Sequence, residues 1–284
     1  MIYFSNRIWI CQSFAVLIVF LLLTGIHQNR DERQSHREEA DGRNHQQFHA
    51  EGSGEETENT APAPVTSKLH AGAFSVASVD EGLPERWEEM TFRGLRPTHY
   101  ELVEKDDRVV VRAESNQSSS GLILRKEIDL AEFPVIQWTW LVENIMEKGD
   151  VYSKDGDDYP ARIYVIFDYD LGNLSWTRRT MIRLLRRFYG EVPARAINYI
   201  HANHAEVGTV VENPYTDLVK MIVVDSGEAH LGEWRTYRRN IYEDYIEIYG
   251  EKPPLVGGLA IMADSDDTGE SAVAYFGDIC FFRE

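Results

Sequence analysis

From Phe74 to the C-terminus the chain is a series of short runs in which apolar and polar residues alternate, each closed by Gly, Asp, Asn or Pro. In PARIYVIFDYD, Ile163, Val165 and Phe167 fall on one side, while Arg162, Tyr164 and Ile166 fall on the other. That is the two-residue period of a strand. YELVEKDDRVVVRAES reads as two strands around Asp106-Asp107. SSGLILRKEIDL, PVIQWTWLV, ARAINYIHA, LVKMIVVDS, LVGGLAIMAD and SAVAYFGDICFF supply further strands. Short strands separated by turn residues predict an all-β fold, an antiparallel β-sandwich. The strand–helix–strand rhythm of a parallel sheet is missing.

Two helices interrupt the strands. In TRRTMIRLLRRFYG, Met181, Leu184, Leu185 and Phe188 keep helical spacing, and Arg179, Arg183, Arg186 and Arg187 cover much of the remainder. A basic helix of this kind suits anionic lipid headgroups, a protein partner in an envelope scaffold, or the chain's own carboxylates. The second helix is expected from Trp234 to Tyr249, with Ile241, Tyr245 and Ile248 as its buried stripe. Gly250 and Pro253-Pro254 end it.

The composition changes before Phe74. Residues 8–26 carry no charge, with Arg7 ahead of them, and approach the ~20 residues that span a bilayer. Residues 1–28 are therefore read as a transmembrane anchor or signal segment, with the bulk of the chain outside the cytoplasm, periplasmic or at the cell surface. Residues 29–70 are polar and almost free of large aliphatics, and are expected to be a disordered linker. The sandwich then occupies 71–284. Asp and Glu total 47 against 29 Lys and Arg, a formal charge of -18. That field disfavours nucleic acid as a partner. The two cysteines, Cys11 and Cys280, lie at opposite ends, so no disulfide is expected within the sandwich and Cys280 reads as a small core residue.

Several segments together resemble a bacterial family known as domain of unknown function 3047. They are GDDYPARIYVIFD, NYIHA, the Ser226–Trp234 stretch, RRNIYEDYIEIYG, PPLVGGLAIMADSDDTG and AYFGDICF, in that order from Trp87 onward. The chain departs from the family pattern at His201, where Trp is usual, and at Asn240, where Asp is usual. The resemblance implies one β-sandwich similar to the galactose-binding jelly rolls. It implies no particular chemistry.

Two acidic loops carry the candidate chemistry. In ADSDDTG, Asp264, Asp266, Asp267 and Thr268 are candidate Ca²⁺ ligands, since Ca²⁺ takes several oxygens. The pattern matches only the first half of an EF-hand: Tyr275 stands where the bidentate Glu belongs. The competing reading is a polar turn between the last two strands. The second loop, SKDGDDYPAR, brings Asp157 and Asp158 next to Arg162. If these loops meet, they form one carboxylate cluster.

Asp157, Asp158, Arg162, Tyr164, Trp176, Arg239 and Asp244 form the candidate ligand-binding set. Trp138 and Trp140 share a strand face and suit either core packing or sugar stacking, with core packing preferred. The expected function is a membrane-tethered binding module for a glycan or other envelope ligand. A hydrolase or lyase using paired carboxylates is the enzymatic alternative. Walker, nucleophile-elbow, GxGxxG and HExxH motifs are absent.

Overall fold

Alternation in the sequence becomes two facing sheets. The computed structural model describes residues 67–173, 176, 179, 180 and 195–283. The apolar run at 8–26, most of the linker and all but Arg179 and Thr180 of the arginine-rich helix lie outside the described residues. Among the described residues no helix is long and apolar enough to cross a membrane. One unit runs from Val65 to Glu284.

The first strands are β1 (Lys68–Gly72), β2 (Trp87–Thr91), β3 (His99–Lys105), β4 (Arg108–Asn116), β5 (Ser119–Ile128) and β6 (Val135–Val142). Then come β7 (Arg162–Phe167), β8 (Ala196–Ala202), β9 (Val210–Asn213), β10 (Thr216–Ser226) and β11 (Arg235–Asn240). Helix α1 (Ile241–Tyr249), β12 (Val256–Asp264) and β13 (Ser271–Phe282) complete the order. One sheet runs β11-β6-β13-β4-β3, with β1 paired to the C-terminal part of β13. The other runs β2-β5-β12-β7-β8-β10-β9.

Local chemistry explains the hairpin between β3 and β4. Asp106 and Asp107 both take positive φ, 52° and 59°, as a two-residue turn of the primed type requires. Between the sheets, Val111, Ala113, Trp138, Trp140 and Phe276 of the first meet Ile163, Val165, Tyr199, Leu259 and Ile261 of the second, all buried. Cys280 is buried too. Trp138 packs against Trp140, Tyr199 and Tyr237 at ring separations of 5.6, 5.2 and 5.5 Å. Both tryptophans are core residues and neither offers a sugar platform.

The structure corrects the sequence reading in four places. The second sheet is mixed rather than purely antiparallel, because β8 and β10 pair in parallel. The segment expected to be one helix from Trp234 is strand β11 up to Asn240 and helix only from Ile241. Arg235–Asn240 pairs residue by residue with β6, and backbone pairing with a neighbour outweighs local preference there. Asn240 then caps the helix, its Oδ1 accepting the Glu243 N–H at 3.2 Å, a role that Asp fills equally well. The boundary at residue 70 cuts through β1, so the folded region begins before it. Strands β2 and β9 had no counterpart among the expected strands.

Candidate carboxylate site

Antiparallel pairing places the site. Arg162 opens β7 opposite Met262, near the end of β12. The loop entering β7 therefore lies beside the loop leaving β12. The Asp158 carboxylate fastens them: Oδ2 accepts the Thr268 N–H at 2.6 Å and Oδ1 the Asp267 N–H at 3.3 Å. Gly269, at φ +72°, supplies the left-handed step that ends this turn.

Arg162 lies on the sheet face opposite Ile163 and Val165, as the alternation predicts. That face is not open at this position. Tyr159 and Val151, from the segment entering β7, pack on Ile200, Ala202, Met221 and Val223 there, and the Arg162 side chain is only 4% exposed. Arg162 Nη2 pairs with Asp264 Oδ2, whose Oδ1 accepts the Tyr159 N–H at 3.2 Å. The guanidinium carbon lies 4.9 Å from the Tyr159 ring centroid and 5.6 Å from that of Tyr164. Among the described residues its Nε and Nη1 have no hydrogen-bond partner.

One oxygen each of Asp158, Asp266 and Asp267 lies within 4.8 Å of the others. Asp264 does not join them, because Arg162 holds it; Asp158 takes the place that the sequence reading gave to Asp264. Thr268 is buried and contributes its N–H to Asp158, while its Oγ1 lies 3.3 Å from the Glu270 N–H. Asp157 is buried, with Oδ2 accepting from Asn213 Nδ2 at 2.6 Å and Oδ1 without a hydrogen-bond partner among the described residues. The Tyr159 hydroxyl comes near Asp157 but outside hydrogen-bonding geometry. At the rim, the Tyr215 hydroxyl donates to Asp267 Oδ1 at 2.6 Å, and Lys154 Nζ lies 5.3 Å over its ring.

Burial, with repulsion from Asp266, Asp158 and Asp157, pushes the Asp267 carboxyl up to about 7, against the Tyr215 hydrogen bond. Burial also raises Asp266, helped by Asp158. Burial raises Asp157 against the pull of Arg162 and Asn213.

A carboxyl at about 7 when folded and near 3.8 when unfolded takes up a proton on folding between those values. Its stabilising contribution is complete below the lower value and is lost as pH rises through 7. Metal-free protein should therefore lose about 1 kcal/mol at this residue between pH 5 and 8, after allowance for solvent screening. Burial lowers His201, which opposes this trend below pH 6.5, so the test is a difference. Asp267→Asn should flatten the rise in urea midpoint that the parent shows from pH 8 down to 5. Parallel profiles for parent and variant would contradict the assignment.

Arg239 and Asp244 stand apart from this cluster. They form a two-point ion pair that Tyr199 joins through a 2.7 Å hydrogen bond to Asp244 Oδ2, tying β11 and α1 to β8. Trp176 is 77% exposed.

A family profile described as Protein of unknown function (DUF3047) matches residues 85–280. The chain belongs to this family. No curated protein matches it in sequence. Among solved structures it is similar to "Cellulose induced protein, Cip1" at 10% identity and a TM-score of 0.31, over 70% of this chain and 93% of that one. A likeness of that size bears on neither ligand nor chemistry.

Within this DUF3047 chain, sequence reasoning missed Asn213 and Tyr215. The available signal was the turn ENPYTD, which places a tyrosine after Asn-Pro, where an aromatic ring is rarely needed for a core. It also missed Asn198, which is buried with both amide atoms unpartnered among the described residues and faces Tyr164 across the β7–β8 ladder.

Proposed function

We propose that this chain is a binding module for a hydroxyl-rich ligand, a glycan, taken at the surface where the two acidic loops meet. The observation that carries this reading is Tyr215. It is 47% exposed, yet its hydroxyl is tied to Asp267. An aromatic ring held in place presents apolar surface to a sugar C–H face at little entropic cost. Asp266 and Asp267, half-buried beside it, accept hydroxyl protons. Tyr152, 72% exposed on the same loop as Asp157, adds a second aromatic. The apolar run at 8–26 suits tethering outside the cytoplasm, where glycans are abundant, and a galactose-binding-like jelly roll is the sandwich type that fits this use.

Calorimetry against a panel of soluble oligosaccharides tests it. At least one should bind saturably without turnover, and Tyr215→Ala should weaken that binding about tenfold or more while the melting temperature stays within a few degrees. Unchanged affinity in that variant, or a panel without a binder, sinks the proposal.

Asp267 favours a second reading. A carboxyl near 7 beside two others is suited to general acid chemistry at neutral pH. In that case Asp267→Asn abolishes turnover of a bound oligosaccharide and leaves its binding intact.

A further inference from the structure

On the sheet face opposite Ile163 and Val165, two buried polar side chains keep unused hydrogen-bonding atoms. Asn198 is 0% exposed, and among the described residues neither its Nδ2 nor its Oδ1 is bonded. Arg162 uses Nη2 on Asp264, while its Nε and Nη1 are unbonded among the described residues. Asn198 stands opposite Tyr164 in the β7–β8 ladder and Arg162 opposite Ile200. The asparagine and the arginine are therefore diagonal neighbours, within reach of a long side chain. Tyr164 adjoins both, its ring centroid 5.6 Å from the guanidinium carbon.

A buried amide in this state is costly. It gives up its bonds to water and gains none in return. Valine or isoleucine would suit this position of β8 better, between Ala196 and Ile200 on the same face. A fold carries such a group where something outside the chain completes its bonding.

The place fits the ligand surface at Tyr215. Met221 of β10 is the ladder partner of Asn198, and its Sδ lies 3.8 Å from Asn213 Nδ2. Asn213 Oδ1 accepts the Tyr215 N–H at 3.0 Å. Contact by contact, this leads from Asn198 to the exposed ring of Tyr215. Tyr159 roofs Arg162, but Tyr164 and Ile166, further along the same face, are half-buried. The cover therefore ends at Tyr164.

We infer that Asn198, Arg162 and Tyr164 form the recognition floor of the glycan site and take the hydroxyls of a neutral sugar residue. The inference rests on the glycan reading and adds the chemistry of the sugar. A hydroxyl both donates and accepts. One can donate to Asn198 Oδ1 while its neighbour on the sugar ring accepts from Nδ2 or from Arg162 Nε. The Tyr164 ring offers apolar surface to the C–H groups between them. Charge decides against an acidic sugar. Arg162 is already paired with Asp264, and Asp157, Asp158 and Asp266 lie within range of its charge. A carboxylate arriving here meets more negative charge than positive.

Calorimetry on the full chain sets neutral gluco-, xylo-, manno- and galacto-oligosaccharides against oligogalacturonate. Asn198→Leu keeps the branching of the amide and removes both polar atoms; Asn198→Val is a smaller second variant. At least one of them should melt at or above the parent temperature, because an unbonded polar group has gone, and should bind the neutral sugar about tenfold more weakly or worse. A purely structural asparagine gives the opposite pattern, a lower melting temperature with unchanged affinity per folded molecule. Lower melting in both variants, affinity intact in both, or binding confined to oligogalacturonate each overturns the floor. If Tyr215→Ala loses binding while both Asn198 variants keep it, the glycan surface stands and the floor falls. The reverse result keeps the floor and removes the surface at Tyr215, and a panel without a binder sinks both.

Discussion

Arg162→Met is expected to destabilise the fold by about 3–5 kcal/mol, the usual effect of removing one partner from a buried ion pair. The change strands Asp264, which is 2% exposed, among Asp157, Asp158, Asp266 and Asp267. The methionine fills much of the space, so the loss is electrostatic rather than a cavity. Urea denaturation at pH 7 in chelator measures it. The double variant Arg162→Met/Asp264→Leu should recover most of the loss, because it removes both charges and leaves an apolar pair under Tyr159. A single-variant loss below about 1 kcal/mol would show that the pair is solvated and that the cluster is more open than its burial indicates. A double variant as unstable as the single one would assign the loss to packing.

Trp138→Ala should also cost about 3–5 kcal/mol, typical of an aromatic deleted from a closed core. Trp138 is fully buried and stacks on Tyr237 at an interplanar angle of 29°. Its loss opens a void between the sheets that Trp140, Tyr199 and Tyr237 cannot all collapse to fill, since strand pairing fixes their backbones. Trp138→Phe should cost clearly less. The comparison separates core packing from ligand stacking: the alanine variant should show a lower denaturation midpoint with unchanged oligosaccharide affinity per folded molecule. A stable variant with lost affinity would reverse the two roles of Trp138 and Tyr215.

Both expectations draw on parts of the chain that differ in how far sequence reveals them. The β3–β4 hairpin was legible because Asp106-Asp107 is local turn chemistry between two alternating runs. β7 was legible because Ile163, Val165 and Phe167 alternate strictly with Arg162, Tyr164 and Ile166. Strand β11 was not, because TYRRN is polar, sits at a sheet edge and runs straight into the amphipathic residues of α1; its pairing with β6 is a partner's contribution. Short β9, half-exposed, lacks an apolar face for the same reason. The acidic loops were legible as loops, and the turn role of ADSDDTG follows from its Asp and Gly content.

The sequence alone determined a β-rich domain of the DUF3047 family, the face on which Arg162 stands and the two acidic loops. Those follow from residue period and turn chemistry, which act over a few positions. Only the tertiary structure decided that the loops touch, that Arg162 takes Asp264 and leaves Asp158 to join Asp266 and Asp267, and that the far face of the sheet is covered there. Asp158 and Thr268 are 110 residues apart. They meet because β12 pairs with β7 in antiparallel register, a choice among strands that no local pattern encodes.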